Sequence, residues 1–464
     1  MQFPWPHYRD QQRTARAPER LRRSLLATAL CASLLLALAQ GSAQTQTQSA
    51  ADPEEVAAAP VAENVDLSEP VVEPAAPEEP EVAPPEPEPV VPEPPQPAEP
   101  QTAAVDPEAS QPLLLLGEKV QSGTAARLSW SLDQRFDGIT VPTPVLVVNG
   151  ADDGLVLCLT AAVHGDELNG IEIVRRVMYD LDPSKLKGTV IGVPIVNLQG
   201  FRRSSRYLPD RRDLNRFFPG TESGSSASRI AYSFFNEVIA NCDALVDIHT
   251  GSFQRTNLPQ LRADMSVPTV AALTEGFGAT AVLHSQGAIG TLRRAAVEAG
   301  IPAVTLETGE PVTLQEKEID HATKGIQTLL NKLGMYTRVR IWGEPEPVYY
   351  QSTWVRADRG GLLFGDVILG QRVKKGQVLG SVTDPITNVR SDLTAPSDGR
   401  VLGMALNQVV MPGFAAFRIG IQTTESGVLA PGGEPGPEDD LGETSGAAAP
   451  AAPDPDLDVE DENS

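Results

Sequence analysis

Three residues have the types and spacing of a metal site. His164 and Glu167 stand three positions apart in Ala161-Ala-Val-His-Gly-Asp-Glu-Leu-Asn-Gly170, and His249 follows 82 residues after Glu167 in Val246-Asp-Ile-His-Thr-Gly251. Two imidazoles and one carboxylate are a ligand set for catalytic zinc, which leaves a fourth position for water. One zinc ion per chain is therefore expected. Each ligand comes directly after a short apolar run, Leu155 to Val163 and Ala244 to Ile248. Such runs read as buried strands, and open α/β sheets bind ligands at strand ends. A third run, Ala303-Val-Thr-Leu-Glu-Thr-Gly309, also ends in an acid, Glu307. A buried carboxylate costs stability unless it is paired or functional. Beside activated water, Glu307 could take a proton and return it to a leaving amine.

Between the ligands, residues 200–220 hold six arginines in 21 residues. A planar guanidinium suits recognition of a substrate carboxylate. Two other histidines have different expected settings. His284 reads as a loop or core residue, and His321, among Glu316, Glu318 and Lys324, as a surface one. Gly276-Phe-Gly-Ala-Thr-Ala281 lacks the context of a dinucleotide fingerprint.

The elements that must carry these residues follow from periodicity. Strand-like runs at 145–148, 155–163, 190–196, 244–248 and 303–306 alternate with helical patterns at 171–181, 228–240, 267–277 and 291–299. That order predicts an α/β fold with a mixed, mostly parallel sheet and helices on both faces. From about Tyr336 to Thr424 short runs punctuated by Gly predict a small all-β domain. The α/β domain that carries the candidate ligands is placed at 114–335 and the β domain at 336–424.

Charge divides the chain further. The formal net charge is -24, yet residues 44–113 carry 16 acids and 17 prolines with no Lys or Arg, and residues 425–464 carry 12 acids with no Lys or Arg. The body at 114–424 holds 31 basic and 31 acidic residues, so it is neutral. The two acidic segments are expected to be disordered. No basic patch dominates, which argues against nucleic acid as a partner. Residues 1–43 carry six arginines ahead of the apolar stretch Leu25 to Leu38 and the small residues Gly41-Ser-Ala43. This predicts an export signal and a periplasmic or extracellular protein, with no stable membrane partner once the signal is cleaved. Cys158 and Cys242 are expected to be buried free thiols.

In order along the chain, HGDE, RY, DLNRFFPG, DIHTG and IPAVTLETGE resemble the succinylglutamate desuccinylase/aspartoacylase family, within the zinc carboxypeptidase-like fold. The resemblance runs from about Val141 to Gly334. It implies His164, Glu167 and His249 as zinc ligands, Glu307 as the catalytic carboxylate, and Asn215 with Arg216 as holders of the substrate carboxylate. It implies an arginine that polarises the scissile carbonyl, Arg206 or its rival Arg203. A further arginine, Arg293 or Arg294, would meet an acyl-group carboxylate. The β domain resembles a biotinyl/lipoyl-like barrel sandwich without the modified lysine. The implied activity is zinc-dependent hydrolysis of the C–N amide of an N-acyl amino acid or similar carboxylate-bearing amide by metal-activated water. A zinc carboxypeptidase or amidase acting on peptides, including cell-wall peptides, is the alternative. A zinc-stabilised binding protein without turnover is a third reading, which Glu307 disfavours.

Overall fold

A computed structural model describes residues 112–131, 142–337, 343 and 346–422. The expected export signal and acidic tail lie outside the described residues, as does the acidic linker up to residue 111. Leu113, the last residue assigned to that linker, is the first of a strand.

The N-terminal strands are β1 (Leu113–Leu115), β2 (Glu118–Val120), β3 (Thr124–Trp130), β4 (Thr143–Asn149), β5 (Asp152–Ala161) and β6 (Lys187–Val193). Then come β7 (Ala244–His249), β8 (Arg255–Ala263), β9 (Ala281–His284) and β10 (Ala303–Gly309). The C-terminal strands are β11 (Val348–Tyr349), β12 (Gln351–Arg356), β13 (Gly361–Gly365), β14 (Arg372–Val373), β15 (Val378–Thr383), β16 (Arg390–Thr394), β17 (Gly399–Ala405), β18 (Gln408–Val410) and β19 (Ala415–Ile421). The helices are α1 (Leu168–Asp180), α2 (Leu198–Phe201), α3 (Ser226–Glu237), α4 (Pro268–Thr274), α5 (Leu292–Glu298) and α6 (Glu316–Lys332).

One mixed sheet of thirteen strands organises the chain, in the order β12-β19-β17-β8-β10-β7-β5-β6-β4-β3 with β9, β11 and β14 as side branches. Its centre, β10-β7-β5-β6, is parallel. These strands are nearly continuous apolar runs because both faces are covered. Along β5, Val156 and Cys158 enter a core with Ile230 and Phe234 of α3. The alternate residues Leu157, Leu159 and Ala161 enter a second core with Ile173 and Val177 of α1 and Ile326 and Leu329 of α6. Each large apolar side chain buried this way contributes roughly 1.5–3 kcal/mol. Helix α1 places Ile173, Val174, Val177 and Met178 on its buried side, the 3.6-residue pattern of an amphipathic helix.

The C-terminal strands form a four-stranded antiparallel sheet, β16-β15-β13-β18, which shares a core of Leu363, Leu379, Val382, Val401 and Phe417 with β17 and β19. β17 also pairs antiparallel with β8, so the main sheet runs into the C-terminal region without a break. No described helix is long and apolar enough to cross a membrane.

Two expectations are corrected. Cys158 and Cys242 are joined by a disulfide, with Cα atoms 5.8 Å apart. β5 and β7 are neighbouring parallel strands, and Asp243 N donates to Val156 O at 2.8 Å, which brings the two cysteines together. His321 is not a surface residue. It is half-buried on α6, with Nε2 3.4 Å from Thr280 Oγ1.

Candidate metal centre

Three parallel strands deliver the site. β7 ends at His249, and β10 sets Glu307 directly beside it in register. After β5 the chain turns sharply, with Ala162 at φ 47, and Val196 N and Asn197 N donate to Ala161 O and Ala162 O. His164 follows. Gly165 has no room for a side chain, because a Cβ there would stand 2.1 Å from the backbone of Gly200 and Phe201. The glycine of HGDE thus lets the arginine-rich loop pack against the ligand turn.

The ligand atoms face one another. His164 Nδ1 lies 2.8 Å from Glu167 Oε1 and 3.2 Å from His249 Nδ1, and His249 Nδ1 lies 2.9 Å from Glu167 Oε2. The three side chains are buried, and among the described residues they form the group suited to hold a metal ion. Three corners of a tetrahedron with bonds of about 2.0–2.1 Å lie about 3.3 Å apart, so the donor set and its spacing fit zinc.

The outer nitrogens are also occupied. His164 Nε2 is 3.1 Å from Asp213 Oδ1, and His249 Nε2 is 2.8 Å from Asp247 Oδ2. Asp247 is held in turn by Thr160 Oγ1 at 2.6 Å. A carboxylate on the outer nitrogen fixes the tautomer and aims the other nitrogen at a metal. Burial opposes charge on Glu167, but His164 and His249 more than offset it and hold its carboxyl far below the usual range. Burial likewise lowers His249, and Asp247 and Glu167 outweigh it, raising this imidazole well above its ordinary value.

Sequence reasoning missed Asp213 and Asp247. Both had a signal. Asp213 opens DLNR, and Asp247 stands two residues before His249, on the same face of a strand. Asp213 also caps the 3-10 turn Leu214–Arg216, accepting from Asn215 N at 2.9 Å.

Glu307 lines a small cavity with Asn215, His249, Arg262, Arg293 and Thr305. Arg293 is buried and anchored by Ser285, through Nη1 to the carbonyl at 2.6 Å and Nη2 to Oγ at 2.9 Å. Its rival Arg294 instead pairs with Glu298 at 2.7 Å and is not among the cavity-lining residues. Asn215 Oδ1 accepts from Leu292 N at 2.8 Å, tying the DLNR segment to the start of α5. Arg216 is half-buried beside it, with Nη1 donating to Asn215 O at 2.9 Å, and is not among the cavity-lining residues. Arg206 is buried, and its guanidinium reaches Glu167 at 3.2 Å and Asp213 at 3.1 Å. Arg203 is exposed and donates to the carbonyls of Gln199 and Tyr207. His284 lies outside this site, with Nδ1 accepting from Met265 N at 3.1 Å.

Strand β8 adds two residues that sequence reasoning also missed. Arg262 Nη1 lies 3.3 Å from Glu307 Oε1, and Asn257 Nδ2 donates to Glu307 Oε2 at 2.9 Å.

A mixed α/β sheet with a buried His–Glu–His cluster at the ends of its parallel strands defines a protein with a metal-competent centre. The sequence profile of the succinylglutamate desuccinylase/aspartoacylase catalytic domain matches residues 153–333. The chain is 30% identical over 257 residues to the N-alpha-acetyl-L-2,4-diaminobutyric acid deacetylase of Halomonas elongata, covering 53% of this chain and 75% of that one. It is 26% identical over 240 residues to the succinylglutamate desuccinylase of Pseudomonas aeruginosa, covering 50% of this chain and 63% of that one. The product-bound structure of the ectoine utilization protein EutE (DoeB) from Ruegeria pomeroyi shares the fold, with a TM-score of 0.59 at 23% identity over 68% of this chain and 97% of that one. The chain belongs to the succinylglutamate desuccinylase/aspartoacylase family.

Proposed function

We propose that this protein hydrolyses the amide bond of an N-acyl amino acid or a similar carboxylate-bearing amide, with one zinc ion held by His164, Glu167 and His249. The observation that carries the reading is Glu307. It is a buried carboxylate that shares one cavity with His249 and two arginines, in a family whose named relatives remove acetyl and succinyl groups. When bound, zinc would act as a Lewis acid on a carbonyl and lower the pKa of water.

The chain's own residues do the rest. Asp213 and Asp247 hold the two imidazoles in the tautomer that turns Nδ1 inward. Glu307 accepts a proton from the attacking water and delivers it to the leaving amine nitrogen. Arg293, locked by Ser285, offers a preoriented guanidinium to an acyl-side carboxylate, and Asn215, which lines the same cavity, binds the carboxylate of the amino acid, with Arg216 adding positive charge from just behind it. Arg206 brings positive charge next to the cluster, where it would favour a developing oxyanion. We further propose that the protein is exported. The disulfide supports this, since such bonds persist in oxidising compartments.

The test is Glu307→Gln, which keeps the shape and removes the base. It should retain zinc and substrate affinity while kcat falls at least about a hundredfold, measured over a panel of N-acyl amino acids and short peptides. Normal turnover by the variant would defeat the hydrolase assignment. Faster turnover of peptides than of N-acyl amino acids would favour the peptidase alternative.

A further inference from the structure

Both oxygens of Glu307 have partners from β8: Arg262 at Oε1 and Asn257 at Oε2. A regular antiparallel ladder could not supply both. Thr305 faces Arg262 and Glu307 faces Gln260, so Gly309 would be expected opposite Leu258. The register slips between Glu307 and Gly309, and Gly309 faces Asn257 instead. Side chains alternate faces along a strand, so one extra residue moves Asn257 onto the face that carries Glu307.

On its other edge β8 pairs with β17, and the residue opposite Asn257 is Gly403. A Cβ on Gly403 would stand 2.7 Å from Asn257 Oδ1, and the next nearest atom is Arg418 Cβ at 3.6 Å. Gly403 is not among the glycines of positive φ, so its backbone does not demand glycine. What the missing side chain provides is room for one amide. Oδ1 lies over Gly403, which turns Nδ2 toward the carboxylate.

We propose that Asn257 is a positioning residue for Glu307 and that Gly403, from the C-terminal β region, sets its orientation. The C-terminal region is then part of the catalytic apparatus, acting through one hydrogen bond on the rotation of the Glu307 carboxylate. The proposal rests on Glu307 being the proton-transferring group.

The experiment compares Asn257→Ala, Gly403→Ala, the double variant and Glu307→Gln, using the N-acyl amino acid that the wild type turns over fastest. Each single β8 or β17 variant should lower kcat about 10- to 100-fold, the cost of misplacing a reacting group by about an ångström. KM and zinc content should stay near the wild-type values. The double variant should be no slower than Asn257→Ala, because Gly403→Ala acts only through the amide that has been removed. Wild-type kcat in Gly403→Ala, or effects that multiply in the double variant, would overturn the proposal. If Gly403→Ala fails to fold, adding Asn257→Ala should restore folding, and failure of that rescue overturns it as well. Activity surviving in Glu307→Gln, or no turnover of any substrate, would instead remove the functional reading beneath it.

Discussion

The Cys158–Cys242 bridge makes a quantitative demand on stability. It joins residues 84 apart in sequence, and both cysteines are buried in the core between the sheet and α3. Closing a loop of this length in the unfolded chain corresponds to about 4.5 kcal/mol in the chain-entropy treatment. That is a large share of the roughly 5–15 kcal/mol by which folded domains are stable. The Cys158→Ala, Cys242→Ala double variant should therefore lose several kcal/mol, read from urea unfolding as the change in midpoint multiplied by the slope. The reduced wild-type protein, unfolded under anaerobic thiol, should lose a similar amount, which separates the bond from the sulfur volume. Activity at 25 °C should change by less than about twofold, because the cysteines stand six and seven residues before His164 and His249 and make no hydrogen bond to the site. An unchanged urea midpoint on reduction would show that the bridge is absent, or that the unfolded chain is already constrained around it.

Two further outcomes follow from the surroundings of the histidines. Asp247→Asn leaves all three ligands in place but weakens the acceptor on His249 Nε2, so zinc affinity should fall about 10- to 100-fold in competition with a chelating dye; unchanged affinity would mean that Asp247 does not orient the ligand. His321 is pushed down to about 4 by burial and by nearby Lys324. The unfolded chain then binds the extra proton between pH 6.5 and 4, so stability held above pH 6.5 is lost as pH falls through that window, by at most about 3 kcal/mol. His321→Gln should remove this component, and a stability difference between wild type and variant that is flat from pH 6.5 to 4 would contradict it.

What could be read from the residues, and what could not, divides along the strands. β5, β7 and β10 are legible because their central residues are buried on both faces, so their sequences are nearly continuous apolar runs that lead to His164, His249 and Glu307. The helices between them show the matching period. β8 is buried almost throughout as well, yet Arg255-Thr-Asn-Leu-Pro-Gln-Leu-Arg-Ala263 has no apolar run and a proline at its centre. The reason is where its neighbours change. Residues 255–257 pair with β17 and residues 260–263 with β9, so Pro259 falls between the two ladders, where no partner needs its missing N–H. Two of its buried polar residues, Asn257 and Arg262, contact Glu307, and nothing local announces a carboxylate some fifty positions away. The disulfide was hidden for the same reason: only the adjacency of β5 and β7 decides it. The candidate ligands and the proposed catalytic acid sit where local patterns end, and local patterns can be read. The groups that aim them arrive from strands that meet only in three dimensions. For Asn257 that dependence extends to Gly403, whose significance lies in a side chain it does not have.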